Sequence, residues 1–300
     1  MSNFFLKCKH KLKSILPKSI FNIILRLFRI IKEPFFYLKI NFLFRSRQCV
    51  DIEYKNIKFK MILDPKNGFL DKYIYFYKID EPKILDVFLR YIKQGDIVLD
   101  IGMNNGHHTL FISKIIGETG KIYSFEPIKR LVSQVEESVK INGIDNIKIN
   151  NFALGNKEIE SLINIEENNL ACASILEAEE NNSILEKEKI IIKKIDSLDL
   201  PKIDFIKIDT EGYEWEVIKG ANSLIEKDKP IMVFEFNPMS YNLEDKNASY
   251  NFLEYLYNLG YRLYDINKSL ILISDLYKFV DTFKKNTTNQ QTNILAIMDK

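Results

Sequence analysis

The chain has 300 residues, 46% of them hydrophobic and 28% charged, a composition that excludes wholesale disorder and a polytopic membrane protein. Its three cysteines, Cys8, Cys49 and Cys172, show no paired spacing; this excludes a disulfide scaffold and a cysteine-based zinc site and suits a reducing compartment. The net charge of +2 hides a division, because residues 1–49 hold 11 Lys/Arg against the single acid Glu33, while the rest carries 32 bases and 40 acids.

Residues 1–49 read as a basic amphipathic arm. The apolar run Ile20–Leu25 is broken by Asn22, ended by Arg26 and followed by no small-residue cleavage site, so it is not a secretory signal. Arg26, Arg29, Lys32 and Glu33 interrupt any stretch long enough to span a bilayer. In SIFNIILRLFRIIKEP the polar residues Asn22, Arg26, Arg29 and Glu33 form one narrow stripe at helical spacing, and Pro34 ends the helix. The pattern fits an interfacial helix with Lys7, Lys9, Lys11 and Lys13 on anionic lipid. It equally fits a helix buried against the protein or a second subunit. Nucleic acid is not an expected partner, since the body is acidic and no recognition motif appears. The expected location is cytoplasmic, peripheral at the inner membrane surface.

Residues 50–94 form a lead-in: VDIEYKNIKFKMIL predicts a β-hairpin around Lys55-Asn56, and EPKILDVFLRYIK a helix after the aromatic-rich DKYIYFYKID. Over 95–300 the chain alternates strand and helix. DIVLDIG, GKIYSFE, IKINNFAL, IDFIKID and PIMVFEF are short apolar runs of buried strands. HHTLFISKII, RLVSQVEESVKING, EWEVIKGANSLIEKD and ASYNFLEYLYNLG separate or follow them as helices. The expected fold is an α/β sheet with helices on both faces. Residues 167–189, rich in Asn and Glu, read as a mobile insertion, either a solvated loop or a substrate lid.

The first of these strands carries the chemistry. VLDIGMNNGHHTL places Asp100 near its end, then Gly102 and Gly106 across the turn, then a helix. Ligands bind at the carboxyl ends of such strands, and the next strand ends in Glu126, where an acid grips ribose hydroxyls. A nucleoside-bearing cofactor follows. A dinucleotide fingerprint requires glycine where Asn104 stands, and a phosphate loop requires Gly-Lys-Ser/Thr where Gly106 is followed by His107 and His108. An acid at Asp100 repels phosphate and suits the ammonium of an amino-acid tail. These features describe S-adenosylmethionine.

Three blocks, VLDIGMNNGHHTL, SFEP and IKIDTEGYEWEVIKGA with FEFNP after it, together resemble the FkbM family of S-adenosylmethionine-dependent methyltransferases; NFALG and the closing TNILAIMD also fit. Asp100, Gly102, Asn105 and Gly106 match the family's cofactor loop. The resemblance implies a Rossmann-like class I methyltransferase sheet of seven strands, its last pair antiparallel and made by the C-terminal segment. It also implies that Asp100 and the Gly102–Gly106 turn hold the methionine part and Glu126 the ribose, with Asn151, Phe152 and Ala153 beside the adenine. His107 and His108 depart from the family's usual residues and read as helix-start packing.

On the acceptor side, Lys207, Asp209, Glu211 and Glu214 gather at the end of IDFIKID, and Glu235 ends the neighbouring strand. Capping of the next helix by Thr210, with acids in its first turn, accounts for one or two of these. The remainder point to a general base for a hydroxyl acceptor: Asp209 and Glu211 first, Glu235 next, with Lys207 paired to Asp209 or neutralising a developing oxyanion. Tyr213 is a candidate to stack on a sugar ring, and Trp215 is better placed in the core. The same acids could ligate a divalent metal, although no fixed-spacing metal motif is present, so no metal site is assigned.

The expected function is O-methylation of a hydroxyl, on a saccharide of a cell-surface glycan or glycolipid. Alternatives are methylation of a specialised small-molecule metabolite, or a membrane-associated binding module that keeps the fold without the activity. A nicotinamide oxidoreductase is disfavoured by Asn104.

Overall fold

The computed structural model describes residues 43–166, 169–174, 185–241, 247–285 and 291–298. The chain divides into two compact units, Met1–Ser46 and Arg47–Lys300. The predicted arm helix at 19–33 and the middle of the predicted insertion lie outside the described residues.

The second unit opens with the predicted hairpin, β1 (Gln48–Tyr54) against β2 (Ile57–Leu63), turning through Lys55 at φ 54°. Alternation sets its faces: Ile57, Phe59, Met61 and Leu63 are buried while Lys58 and Lys60 are exposed. Helices α1 (Phe69–Tyr77) and α2 (Pro82–Tyr91) follow, the second with proline in its first turn.

Strand–helix alternation then runs as predicted through β3 (Ile97–Ile101), α3 (His107–Ile116), β4 (Lys121–Phe125), α4 (Lys129–Ile141) and β5 (Ile147–Asn150). After β5 the chain departs from expectation. IKINNFAL is not one strand, because β6 (Ala153–Leu154) leaves the main sheet to pair with β9 (Leu185–Lys193). With β7 (Ile159–Glu166) and β8 (Asn169–Ser174) these make a second sheet in the order β6-β9-β7-β8. Part of the segment 167–189 is therefore strand. Its ladder shares a core in which Ile163, Leu170 and Ile190 pack on Ile128 and Leu131.

The chain returns through β10 (Phe205–Ile208), α5 (Glu214–Lys219), α6 (Asn222–Asp228) and β11 (Ile231–Phe236). The expected single helix here is two short ones. Gly220 separates them, and a Cβ at that position would stand 1.9 Å from the Gly155 carbonyl oxygen. Then come α7 (Ala248–Asn258), β12 (Tyr261–Asp265), β13 (Ile271–Leu272), α8 (Leu276–Lys284) and β14 (Thr292–Met298).

The main sheet has the order β13-β12-β14-β11-β10-β3-β4-β5. It is parallel from β11 to β5, while β14 runs antiparallel to both β11 and β12. This is the expected class I methyltransferase sheet with one strand more than the predicted seven, the two-residue β13 at its edge. Val217, Ile225, Phe252 and Val280 from α5 to α8 share one core with the sheet, and α4 packs Val132 and Val135 in another with Met103. Strand order reverses between β3 and β10, which opens a crevice at their carboxyl ends.

An ion pair lies under that crevice. Lys207 and Asp100 are register partners on β10 and β3, both buried, with Nζ 3.3 Å from Oδ1. Thr109 donates to Oδ2 of Asp100, and Lys207 donates to the Gly102 carbonyl at 2.8 Å. Removing one partner of such a pair strands a buried charge. Asp100→Ala is therefore expected to lower the unfolding free energy in urea by about 3–5 kcal/mol, and a loss below about 1 kcal/mol would mean that Asp209 alone compensates Lys207.

Candidate active site

The crevice holds a cleft of about 620 Å³, a figure that includes space open to solvent. Its floor is the turn after β3. Gly102 (φ 78°) lies so close to β10 that a Cβ would stand 1.8 Å from the Asp209 carbonyl oxygen, so only glycine fits. Asn104, where a dinucleotide fingerprint has glycine, takes φ 51°, a left-handed conformation that asparagine tolerates. The turn therefore closes without the middle glycine of that fingerprint.

Glu126, just past β4, lines the cleft and accepts from the backbone N–H of Asn104 (2.9 Å) and of Ile128 (3.0 Å). Burial pushes its carboxyl up to about 7 against the pull of those two hydrogen bonds. An apolar wall of Phe125, Ile128, Ala153, Ile163 and Leu170 continues from it. Two of these residues, Ile163 and Leu170, come from the second sheet.

Asp209, Thr210, Glu211 and Tyr213 line the opposite side. Asp209 Oδ2 is 3.5 Å from Lys207 Nζ, and Glu211 is held at φ 54°. Glu214 is the capping acid of this loop; its Oε1 accepts from Thr210 N and Oγ1 and from Gly212 N. Burial, and after it the charges of Asp209 and Glu214, raise the Glu211 carboxyl to about 8. Although burial lowers its affinity for a proton, Lys207 is held above the usual lysine range by Asp100, Asp209 and Glu81. It remains an ammonium.

The sequence-based assignments divide on this geometry. Gly102, Glu126, Ala153, Asp209 and Glu211 come together on the cleft surface. Asp100 does not line it: its carboxylate is turned beneath the turn to Lys207 and Thr109, away from any incoming ammonium. Asn105 donates to Asp71 Oδ1 (2.8 Å) and accepts from His107 N, anchoring the turn to α1. Gly106 gives α4 room, since a Cβ there would meet Val135 at 2.8 Å. Asn151 donates to the Glu126 and Pro127 carbonyls, and Phe152 packs on Phe125. Lys207 spends its contacts on Gly102, Asp100 and Asp209 below the surface, which leaves it a positioning group rather than a partner for an oxyanion. Trp215 stacks on Phe252 in the core, while His107 and His108 pack at the start of α3, as expected.

Glu235 is outside the cleft lining among the described residues, but it joins a group of acids beside it. Its register partner across β11 and β14 is Asn293, whose Nδ2 donates to Glu81 Oε1 at 2.9 Å. Burial, then the charges of Asp209 and Glu211, raise Glu235 to about 10; burial, then Asp209 and Asp80, raise Glu81 to about 8. Asp80 is raised to about 6 by burial and Asp209. The sequence reading missed Asp80, Glu81 and Asn293. An acid pair just before Pro82, and a lone asparagine inside the apolar strand TNILAIM, were the available signals. Among the described residues no group of three acids, histidines or cysteines has an arrangement that could hold a metal ion.

Protein-L-isoaspartate O-methyltransferase of Fervidobacterium nodosum is 35% identical over 77 residues, 25% of this chain and 39% of that protein. The enzyme of that name from Methanococcus aeolicus is 35% identical over 69 residues, 22% of this chain and 32% of that protein. The chain thus spans less than half the length of these curated relatives. Among solved structures, the methyltransferase FkbM of Methylobacillus flagellatus shares 13% identity at a TM-score of 0.45, covering 74% of this chain and 49% of that one. The family model for the methyltransferase FkbM domain matches residues 100–263, more than half of the sequence, and the chain belongs to the FkbM methyltransferase domain family.

Proposed function

We propose that the protein is an S-adenosylmethionine-dependent O-methyltransferase whose acceptor is a hydroxyl, on a saccharide of a cell-surface glycan or glycolipid. The observation that carries this reading is one cleft with a glycine turn and Glu126 on one side and the carboxylates of Asp209 and Glu211 on the other. The residues present fit the cofactor: Gly102 lets the turn at the cleft floor close against Asp209, Glu126 accepts from ribose hydroxyls, and Phe125, Ile128, Ala153 and Leu170 offer an apolar slot for adenine. Bound there, S-adenosylmethionine supplies an electrophilic methyl group on a sulfonium.

The chain's own residues then align the acceptor and take its proton. A sugar hydroxyl is a poor nucleophile at neutral pH, and Glu211, a cleft carboxyl with its proton affinity raised, is placed to act as the base. Asp209, tied to Lys207, fixes the loop and the local field. Positioning supplies much of the rest of the barrier lowering. The isoaspartate acceptor in the names of the curated relatives carries a carboxyl group, and the charge of Asp209, which already raises the neighbouring carboxyls, disfavours a further carboxylate. The basic arm supports a peripheral cytoplasmic location at anionic lipid, and among the described residues no helix is long and apolar enough to cross a membrane.

Isothermal titration with S-adenosylhomocysteine, with NAD as control, tests the cofactor assignment: micromolar binding of the first alone is expected, and Glu126→Ala should weaken it at least about tenfold, the loss of one or two charged hydrogen bonds. The folded state binds the Glu126 proton more tightly than the unfolded chain, so that stabilising contribution is complete below the ordinary glutamate pKa and lost as pH rises through about 7. The ribose needs the ionised acceptor, so affinity should rise with pH through about 7 and stay flat in Glu126→Gln. For turnover, Glu211→Gln is expected to spare S-adenosylhomocysteine binding and lower kcat by about 10²–10⁴-fold. The wild-type rate should climb with pH to a plateau above about 8, a limb that the variant lacks. Sedimentation of the full chain with anionic but not with neutral vesicles is the outcome expected of the arm; equal sedimentation with both would remove the membrane assignment.

A further inference from the structure

Next to the cleft, the elements that carry Glu81, His108, Lys207 and Glu235 leave a set of polar atoms with one shared character. His108 is 92% buried and its Nε2 has no hydrogen-bond partner among the described residues. That nitrogen faces Glu81 Oε2 across 3.9 Å, too far for a hydrogen bond. Glu81 itself is held at φ 44°, φ values that cost a non-glycine residue strain, and its other oxygen is fixed by Asn293. Glu214 Oε2 is a further fully buried atom with no hydrogen-bond partner. After burial, the charge of Asp209 raises the proton affinity of Asp80, Glu81, Glu211 and Glu235.

His108 Nε2 is an acceptor, and Glu81 Oε2 becomes one when a cation displaces the proton that burial and Asp209 favour on that carboxyl. Burial and the nearby Lys207 charge keep His108 neutral, and protonated at Nδ1 it offers a lone pair at Nε2. The cation of the group, Lys207, is committed below the surface to Gly102, Asp100 and Asp209. A hydroxyl brings a single proton to donate and no charge. An ammonium brings three donors and the missing positive charge, and a nitrogen about 2.8 Å from each of Glu81 Oε2 and His108 Nε2 completes a triangle on the 3.9 Å base.

We propose that Glu81, His108 and Glu235 form a subsite for an ammonium group of the acceptor, so that the methylated molecule is an amino sugar or amino alcohol rather than a neutral or anionic one. This rests on the methyltransferase reading and narrows its substrate class. The subsite selects by charge: it binds a protonated amine, discriminates against the N-acetylated form of the same sugar, and excludes phosphate and carboxylate.

The test uses the full chain saturated with S-adenosylhomocysteine, titrated by protein-observed NMR at neutral pH and low salt. The probes are glucosamine and ethanolamine, with N-acetylglucosamine and ethylene glycol as their uncharged counterparts. The amines are expected to bind at least tenfold more tightly than the counterparts, with a preference that shrinks at high salt. Glu81→Gln and Glu235→Gln should each reduce that preference to under threefold, their fold checked by thermal melting so that a misfolded variant is replaced by the other. Equal binding of charged and uncharged probes, binding of none of them, or a preference that survives in both variants would overturn the subsite. Failure of S-adenosylhomocysteine to bind in the first step would instead overturn the methyltransferase reading, so the two failures are told apart.

Discussion

A lysine ammonium buried beneath the switch point ties the molecule together. Lys207 sits in register with Asp100 at the centre of the parallel sheet, and the same nitrogen reaches the Gly102 carbonyl and the Asp209 carboxylate. Each of those contacts anchors a different part of the cleft: the strand beneath it, the turn after β3, and the loop that carries Asp209 and Glu211. A charge buried this deeply is tolerated only with partners in place. The cost of desolvating one ammonium therefore becomes a geometric constraint on both halves of the site.

Around that cation the protein assembles more negative charge than it neutralises. Asp209 is the charge that Asp80, Glu81, Glu211 and Glu235 all feel. Crowding like charges raises the proton affinity of each, which is how a carboxyl group becomes a base strong enough for a hydroxyl near neutral pH.

Much of this was legible in the sequence, for identifiable reasons. Strands buried on both faces announce themselves as short apolar runs, and α3 begins at His107 because a glycine turn precedes it and a helical pattern follows. Gly102, Glu126, Asp209 and Glu211 were readable because each ends or follows such a strand. Depth was not. Asp100, Asn105 and Gly106 belong to the same motif as Gly102, yet they face Lys207, Asp71 and Val135, partners distant in sequence. The second sheet was hidden because β9 opens, after Leu185, with the unbroken polar run Glu186-Lys187-Glu188-Lys189, in a stretch rich in Asn and Glu. Asp80 and Glu81 went unseen because they reach the site from the lead-in segment, more than a hundred residues away from Asp209.

The apolar wall of the cleft ends in Leu170, on β8, and β8 is the edge of the small sheet, hydrogen-bonded among the described residues to β7 alone. The load-carrying ladder of the main sheet does not pass through it. One side of the cleft is thus a separately hung panel, whereas the other side is built into the central strands. Variation in the length or composition of that panel can retune how tightly the cofactor is enclosed while the rest of the fold stays as it is, so adaptation of the cleft and preservation of its chemistry are assigned to different pieces of chain.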